Sequence, residues 1–493
     1  MKKRRVSTGI DGLDQVLNGG FIFGASYLIV GGAGTGKTIL SLQACRESLK
    51  RKASCVYVTF AEPEASIRGN AASFGWDLAE VVFVDFTKDL GLEKINGEYS
   101  VFPPSEVEET PIWSRLYKAV EEHDPDLIVI DSATFLHYLS LDEYQFRKQA
   151  QKLINTLCTR GCISLLLFEP AELEKESSLA LAVDCVVVMR NDLTEQNTTE
   201  IRTIEVKKMR GSSFLSGRHP MRITASGIAV WPHRIEKLKS IPFDRKIFPS
   251  GIAGLDQLIK GGFSSGTCTI ITGPSGVGKS TLAAQFLCVA AEKGIKGVLY
   301  SFEEGGASIL NRCNNISMPL EEMMERGTVS LREINPLEYY PDEFLETFRK
   351  DVEKNDTRLV VIDSLRGYNL AMEGFGNLVA HMQNLINYCR SHKVTLILVN
   401  EQENITGDIR ITDVGVSYMA DNVLMLRYAE YHGRVIKVVS CLKKRLGDFE
   451  PELREFKITG NGIVVGERLG HLRGLLTGVP LAEPKKAKPE SEQ

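Results

Sequence analysis

A glycine-rich pattern that occurs twice constrains the fold of this chain more than any other feature. The first copy is Gly31-Gly-Ala-Gly-Thr-Gly-Lys-Thr38 and the second is Gly273-Pro-Ser-Gly-Val-Gly-Lys-Ser280, so both fit G-x-x-x-x-G-K-[ST]. Each copy follows a short apolar segment and opens a segment of helical periodicity, which is the context of a phosphate-binding loop (P-loop). The sequence therefore predicts two nucleotide sites that bind ATP.

The residue types in both loops suit phosphate binding. Glycines let successive backbone N–H groups face the phosphates, the lysine reaches the terminal phosphates, and the next hydroxyl is a Mg²⁺ ligand. The predicted nucleotide-binding residues are Gly31, Gly32, Ala33, Gly34, Thr35, Gly36, Lys37 and Thr38 in the first loop, and Gly273, Pro274, Ser275, Gly276, Val277, Gly278, Lys279, Ser280 and Thr281 in the second.

The loops belong to a longer internal repeat. The stretch Gly9–Phe21 recurs as Gly251–Phe263, 242 residues later, and the same offset relates Lys37 to Lys279. A chain of 493 residues is also too long for one hydrophobic core, so we interpret it as a duplicated domain. The join is placed around residue 240, and the end of the chain is dominated by Pro, Lys, Glu and Ser, a composition typical of disorder. The predicted organisation is a domain at 1–240, a domain at 241–480 and a disordered tail at 481–493.

Short β-branched or Leu-rich segments alternate with helical segments in each repeat. This alternation predicts an α/β fold with mainly parallel sheets. In the first repeat the predicted strands are Ser26 to Val30, Val56 to Phe60, Leu127 to Ile130 and Ile163 to Phe168.

A carboxylate at a strand end completes the Mg²⁺ shell in P-loop proteins. Asp131 and Asp363 each end a run of four apolar residues, 94 and 84 residues after the P-loop lysines. The predicted Mg²⁺ ligands are therefore Thr38 and Asp131 at the first site, and Ser280 and Asp363 at the second.

ATP hydrolysis also needs a group that orients or deprotonates the attacking water. The segment after the P-loop helix reads Phe302-Glu303-Glu304 in the second repeat but Phe60-Ala61-Glu62 in the first. We predict catalytic roles for Glu303, Glu304 and Glu62. Because Ala61 stands in place of a carboxylate, the second site is predicted to be the reactive one, and the first to be mainly structural or slowly hydrolytic.

A basic triplet precedes a glycine near the end of each repeat. In ring-shaped ATPases a cation from one subunit commonly completes the site of its neighbour. We predict this role in trans for the triplet cations, with a solvated β-hairpin as the alternative. These residues are Lys208, Arg210, Lys443 and Arg445.

Composition disfavours several other classes of protein. A net charge of −4 and a pI near 6.2 disfavour nucleic acid as a partner. No apolar run approaches the roughly 18 residues of a membrane span, and the basic start Met1–Arg5 is not followed by an apolar segment, so a cytoplasmic location without membrane contact is expected. The ten cysteines form no C-x-x-C pair, which favours buried thiols over a zinc site.

These residues together resemble one family, the RecA-like double-domain ATPases of the KaiC type known from the circadian clock. The resemblance runs from Gly9 to about Val465 and includes both P-loops, the Ser73–Leu78 segment, the Glu-containing segments, both Asp-Ser strand ends and both basic triplets. It implies two RecA-like P-loop domains, a homohexamer of two stacked rings and slow ATP hydrolysis. It also implies autokinase and autophosphatase activity in the second ring, and KaiB-like or other signalling proteins as partners.

The family also implies an acceptor for phosphoryl transfer. Its phosphorylated side chains are an adjacent Ser-Thr pair, and Ser417 of this chain matches the first member. Tyr418 replaces the second, which puts a bulky phenol at a site built around a small hydroxyl. Thr412 also matches the motif. Ser417 is the predicted phosphorylation site, with Glu303 as its general base.

Three hypotheses about function therefore remain open. The first is a hexameric KaiC-like ATPase and serine/threonine autokinase with a regulatory or timing role. The second is a nucleic-acid motor of the recombinase or replicative-helicase type, although no zinc finger or basic single-strand-binding loop is evident. The third is a ring in which ATP only holds the subunits together.

Overall fold

A computed structural model describes residues 4–87, 111–138, 143–169, 178–193, 200–236, 246–372, 375–402, 417–431, 433–469, 472–473 and 481–482. The chain divides into two compact units, Met1–Arg234 and Ile235–Gln493, which are called the first and second units below. The domain boundary predicted at residue 240 lies outside the described residues.

The first unit contains these elements in chain order: β1 (Arg5–Val6), α1 (Asp11–Val16), β2 (Phe21–Ile22), β3 (Ser26–Gly31), α2 (Lys37–Lys50), β4 (Cys55–Thr59), α3 (Glu64–Ser73), β5 (Val82–Asp85), α4 (Pro111–His123), β6 (Leu127–Asp131), α5 (Ala133–Tyr138), α6 (Glu143–Thr159), β7 (Ile163–Phe168), α7 (Ser178–Ala182), β8 (Cys185–Leu193), β9 (Glu200–Met209), β10 (Arg218–Thr224) and β11 (Gly227–Val230).

The second unit contains these: β12 (Ile247–Phe248), α8 (Ala253–Leu258), β13 (Phe263–Ser264), β14 (Cys268–Gly273), α9 (Lys279–Glu292), β15 (Gly297–Ser301), α10 (Gly306–Asn314), α11 (Leu320–Glu325), β16 (Val329–Glu333), α12 (Pro341–Lys354), β17 (Leu359–Asp363), α13 (Leu365–Ala371), α14 (Leu378–Ser391), β18 (Thr395–Glu401), β19 (Asn422–Tyr431), β20 (Arg434–Lys444), β21 (Arg454–Thr459), β22 (Gly462–Arg468), β23 (Leu472–Arg473) and β24 (Leu481–Ala482).

Each unit is built on one large sheet. Within the described residues, nine strands of the first unit lie in the order β11-β10-β9-β8-β3-β7-β6-β4-β5, and nine of the second in the order β16-β15-β17-β18-β14-β19-β20-β21-β22. The pairs from β8 to β5 and from β16 to β19 are parallel, and the remaining pairs are antiparallel. The predicted α/β fold, with tandem RecA-like domains and mainly parallel sheets, is confirmed.

Both faces of each sheet are covered by apolar side chains. In β3, Tyr27 and Ile29 join the cluster that includes helix α2, whereas Leu28 and Val30 join the cluster on the opposite face. All four side chains are at most 1% exposed. A strand buried on both faces is a continuous apolar run, which is why the central strands were recognisable in the sequence.

The glycine of α1 is required by a close backbone approach. A Cβ at Gly12 would lie 1.8 Å from the carbonyl oxygen of Val230 in β11, and a Cβ at Gly254 would lie 2.3 Å from that of Val465 in β22. The repeated Gly-Leu-Asp motif therefore closes each unit, because it brings an early helix against the last strand of the large sheet.

Gly12→Ala is expected to destabilise the first unit by at least about 1–3 kcal/mol, because a backbone carbonyl cannot move aside as a side chain can. Trp76, Trp113 and Trp231 are the three tryptophans of the chain, so tryptophan fluorescence in urea reports this unit alone. The control is Gly69→Ala in α3, where nothing lies within 4 Å of the added Cβ and alanine favours the helix by about 0.5–1 kcal/mol. Equal stability of the two variants would contradict the close-approach argument.

Little of the predicted disordered tail belongs to the described residues. Leu481–Ala482 pairs antiparallel with Leu472–Arg473, and residues 483–493 lie outside the described part. Among the helices that the structure describes, none has the length and apolarity needed to cross a membrane.

Candidate nucleotide and phosphoryl-transfer site

The sheet topology brings the predicted site residues to one edge. The P-loop follows β3, Glu62 follows β4 and Asp131 ends β6, and these strands are parallel members of one sheet. The second unit repeats this arrangement with β14, β15 and β17. Because parallel strands end at the same edge, the loops and carboxylates of each unit collect there, which is where α/β proteins bind ligands.

In each P-loop, the residue just before the helix is a glycine whose backbone conformation other residues rarely adopt. Gly36 and Gly278 precede α2 and α9 with φ angles of 99° and 114°, in the left-handed region. A Cβ at Gly278 would also lie 2.7 Å from Cδ1 of Ile458. Left-handed glycines turn the loop so that its N–H groups and the helix N-terminus face one concavity, a shape that suits phosphate.

The P-loop lysines lie folded against their own loops. Lys37 Nζ donates to the carbonyl oxygens of Gly31 at 2.6 Å and Gly32 at 3.0 Å, and Lys279 Nζ donates to that of Pro274 at 2.8 Å. Burial lowers the pKa of both lysines, while nearby carboxylates act in the opposite direction. Both ammonium groups are therefore held at the loop, where phosphate oxygens would replace the carbonyls.

Asp131 and Asp363 lie beside the P-loop hydroxyls. Thr38 Oγ1 donates to Asp131 Oδ2 at 2.9 Å, and the hydroxyl of Ser280 forms the equivalent hydrogen bond to Asp363. Burial raises the pKa of both aspartates, and these hydrogen bonds partly offset the rise.

A carboxylate beside a hydroxyl is a hard-oxygen donor pair that suits Mg²⁺, which takes the rest of its shell from phosphates and water. The described residues contain no group of three or more His, Cys, Asp or Glu side chains that could hold a metal ion alone. The residues present therefore fit a Mg²⁺ ion that arrives with a nucleotide.

The two glutamates of the second unit have different surroundings. Ser364, next to Asp363, donates a hydrogen bond to Glu303 Oε1. Glu304 instead pairs with Arg312 at 2.5 Å and accepts from Ser308 at 2.6 Å. Burial alone would raise the pKa of Glu304, but the hydrogen bonds from Arg312 and Ser308 outweigh it and the pKa is lowered. Glu303 thus faces the Asp-Ser strand end, whereas Glu304 is held against α10.

Glu62 of the first unit corresponds to Glu304 and has the same kind of surroundings. Its Oε1 accepts from Ser66 Oγ at 2.5 Å and from Asn70 Nδ2 at 2.8 Å, on α3. The position that corresponds to Glu303 is Ala61, so the first unit has no carboxylate there.

The basic triplets lie at the ends of β9 and β20, in antiparallel hairpins, and contact carbonyl oxygens of their own chain. Lys208 Nζ donates to the carbonyl oxygens of Ala180, Leu181 and Val183 at 2.7–3.2 Å, which accounts for its three protons. Arg210 also donates to that of Leu181, at 2.7 Å.

In the second unit, Lys443 Nζ lies 3.4 Å from the carbonyl oxygens of Ser417 and Tyr418, and Arg445 donates to the latter at 2.8 Å. Each triplet thus fixes the turn that precedes β8 or β19. Each arginine has five N–H donors, so it can bind a further acceptor, such as a phosphate oxygen, more readily than a lysine can.

Ser417 lies in the turn before β19. Its side chain is half-buried, and the neighbouring Tyr418 is 58% exposed. Thr412 lies outside the described residues.

The P-loop of the second unit has two further contacts at its apex. Tyr428 Oη in β19 donates to the carbonyl oxygen of Ser275 at 3.3 Å, and Lys437 Nζ in β20 donates to that of Gly276 at 3.0 Å. These contacts fix the loop against β19 and β20, and no motif in the sequence predicts them.

Sequence reasoning also missed a carboxylate beside each P-loop. Glu401 ends β18 and pairs in register with Gly273, and Glu169 follows β7 in the first unit. Burial lowers the pKa of each P-loop lysine, and the nearby glutamate has the largest opposing effect, Glu169 on Lys37 and Glu401 on Lys279. The two glutamates are 232 residues apart, the offset that also relates Asp131 to Asp363, and this shared spacing could have revealed them.

Tandem RecA-like sheets, each with a P-loop and an adjacent aspartate at its carboxyl edge, define a double-domain P-loop nucleoside triphosphatase. A family model described as "ATPase: KaiC" matches residues 6–235 and 248–470. The chain belongs to the KaiC family of ATPases.

Three curated relatives show how similar the chain is to named members. It is 26% identical over 493 residues to the circadian clock oscillator protein KaiC of Parasynechococcus marenigrum, which covers 97% of this chain and 94% of that protein. It is 26% identical to the circadian clock protein KaiC3 of a Synechocystis species, with 97% and 94% covered. It is also 26% identical to the circadian clock oscillator protein KaiC of Rippkaea orientalis, with 97% and 91% covered.

Proposed function

We propose that the second unit carries out phosphoryl transfer from ATP and that the first unit mainly retains its nucleotide. The observation that carries this proposal is the placement of Glu303 against Ser364, beside Asp363, where the first unit has Ala61. A carboxylate at this position can orient a nucleophile and accept its proton. Glu304 and Glu62, which are hydrogen-bonded to α10 and α3, position the segment rather than react.

The other residues of the second site have binding roles in this proposal. The P-loop N–H groups and Lys279 hold the phosphates, while Ser280 and Asp363 hold Mg²⁺. The ion neutralises charge that develops on the transferred group. Lys37, Thr38 and Asp131 hold Mg²⁺ and ATP in the same way at the first site.

We propose a homohexamer in which ATP lies between neighbouring copies of the chain. Arg210 and Arg445 are the trans cations best suited to a phosphate of the adjacent copy, because each has five N–H donors and contacts two acceptors among the described residues, Leu181 and Ala182 for Arg210 and Tyr418 and Asp421 for Arg445. Lys208 and Lys443 hold the segments before β8 and β19, which these arginines also contact. The mass of the ATP-bound assembly in solution tests this arrangement.

We further propose that the chain is a serine autokinase with Ser417 as acceptor. Ser417 Oγ attacks the γ-phosphorus of ATP bound at the adjacent copy, the bond to the β–γ bridging oxygen breaks, ADP leaves and the serine proton passes to Glu303. The half-buried side chain and the contact of Lys443 with the Ser417 carbonyl oxygen support this role, because they present the hydroxyl on a fixed turn.

Incubation with ATP and Mg²⁺ is expected to yield a phosphorylated peptide that contains Ser417. Ser417→Ala should lose this modification, whereas Tyr418→Phe should keep it, because Tyr418 is exposed and its hydroxyl has no role in the transfer. Mass spectrometry of the digested protein measures both. An unmodified Ser417 peptide from wild-type protein that hydrolyses ATP would contradict the autokinase proposal without affecting the ATPase assignment.

The relatives named above are circadian clock proteins, and we propose a regulatory or timing role for this chain, with KaiB-like or other signalling proteins as partners. Capture of such partners in ATP, but not in ADP, would support this role. Stimulation of hydrolysis by single-stranded DNA would instead favour a nucleic-acid motor.

A further inference from the structure

A buried tyrosine lies beneath the aspartate of the first site. Tyr57 in β4 is fully buried, and its Oη donates to Asp131 Oδ2 at 2.7 Å. The same oxygen accepts from Thr38 at 2.9 Å. Ser41 Oγ, also fully buried, lies 3.4 Å from Tyr57 Oη and donates to the carbonyl oxygen of Thr38 at 2.8 Å. The side chains of Tyr57, Thr38 and Asp131 form one hydrogen-bonded group, which we call the Tyr57 network, and Ser41 lies against it.

The second unit cannot form this network. The positions that correspond to Tyr57 and Ser41 are Leu299 and Ala283, both buried, and neither side chain can donate a hydrogen bond. Asp363 does receive the hydrogen bond from Ser280 that corresponds to the one from Thr38. The two sites therefore differ beneath the aspartate as well as at Ala61.

We propose that Tyr57 is a positioning residue that fixes the carboxylate of Asp131 for the Mg²⁺ ion bound with ATP at the first site. This inference rests on the proposed function, because it takes Thr38 and Asp131 as the residues that hold Mg²⁺. A carboxylate held by hydrogen bonds loses little freedom when the ion arrives, and such outer partners typically contribute 10–100-fold to metal affinity. A threonine hydroxyl that donates its proton to a carboxylate also keeps its lone pairs for a cation.

The network gives the first site a property that suits nucleotide retention. Its aspartate is fixed before the ion binds, so the first site needs less Mg²⁺ to hold ATP than a site without the phenol. A site that lacks a carboxylate at position 61 but holds Mg²⁺ and ATP firmly would keep its nucleotide bound through many turnovers of the second site.

A purely structural role for Tyr57 makes a different prediction, and Tyr300 provides the comparison. Tyr300 in β15 is also a fully buried tyrosine, and its hydroxyl donates to Asp351 at 2.6 Å. Asp351 lies in α12 and pairs with Arg332, so this hydrogen bond belongs to the core of the second unit. Removing the Tyr300 hydroxyl therefore tests the loss of a buried tyrosine–aspartate bond that does not involve a Mg²⁺ site.

The test uses the full chain with Lys279→Met, so that nucleotide binding reports the first site. A fluorescent ATP analogue is titrated with Mg²⁺ and, separately, in excess EDTA. Tyr57→Phe is expected to raise the Mg²⁺ concentration for half-maximal binding about 10-fold and to leave affinity in EDTA unchanged. Ser41→Ala, which keeps the hydrogen bond from Tyr57 to Asp131, and Tyr300→Phe should both leave the Mg²⁺ dependence unchanged.

Three results would overturn the inference. One is an unchanged Mg²⁺ dependence in Tyr57→Phe while Lys37→Met, made in the same background, abolishes binding, which leaves the proposed function intact. Another is an equal loss of affinity in Mg²⁺ and in EDTA, which indicates a general structural role. The third is nucleotide binding by the parent chain that does not depend on Mg²⁺ at all, which would remove the Mg²⁺ assignment of the first site together with the inference.

Discussion

Glu303→Gln is expected to lower ATP turnover by about 10²–10⁴-fold, the range typical of losing a positioned general base. The amide keeps the size of the side chain and can still contact Ser364, but it cannot accept a proton. The first unit cannot compensate, because Ala61 occupies the corresponding position. Steady-state release of inorganic phosphate measures the effect, and an unaltered affinity for ATP shows that the site remains folded.

Glu304→Gln is the matched control. Glu304 pairs with Arg312 across α10, and both side chains are about one-third exposed, so losing the negative charge weakens a partly solvated ion pair worth at most about 1 kcal/mol. Turnover should fall only a few-fold. Similar large losses of turnover in both variants would indicate that Glu303 and Glu304 are both catalytic, as the sequence predicts. Normal turnover in Glu303→Gln would place hydrolysis in the first unit.

The sequence was sufficient for the α/β architecture because the central strands are buried on both faces. Segments such as Ile163–Phe168 are apolar except for one small residue, Ser164, and the structure has a strand with these bounds. The strand predicted at 56–60 is displaced by one residue, to Cys55–Thr59, and Phe60 packs in the apolar cluster beside it. The antiparallel extension is harder to recognise, since in β9 the buried apolar residues are interspersed with charged ones.

The P-loops and strand-end aspartates are recognisable in the sequence because phosphate and Mg²⁺ binding, the roles proposed for them, require particular residue types at fixed places. What the sequence could not supply is the direction in which a side chain points. Glu303 and Glu304 are neighbours in the chain, yet one contacts Ser364 and the other Arg312. Tyr57 similarly looked like one more apolar member of a strand. Its hydroxyl acquires a role only because β4 and β6 lie side by side, a contact between residues 74 positions apart.

Lys37→Met and Lys279→Met are expected to separate the roles of the two sites. Each substitution removes the cation that we propose contacts the phosphates. At an ATP concentration 100 times Kd, bound nucleotide stabilises the protein that holds it by about 2.7 kcal/mol. Because the three tryptophans lie in the first unit, ATP should protect their unfolding transition in Lys279→Met but not in Lys37→Met.

The two substitutions should also separate assembly of the chain from ATP turnover. Lys37→Met is expected to shift the mass measured by light scattering in ATP toward small species, because the proposed role of the first nucleotide is to join neighbouring copies. Lys279→Met should keep the large assembly but lose most phosphate release and the modification of Ser417. The reverse pattern, with assembly lost in Lys279→Met and turnover lost in Lys37→Met, would contradict the proposal. It would show that the first unit hydrolyses ATP despite Ala61, and that the nucleotide of the second unit joins neighbouring copies.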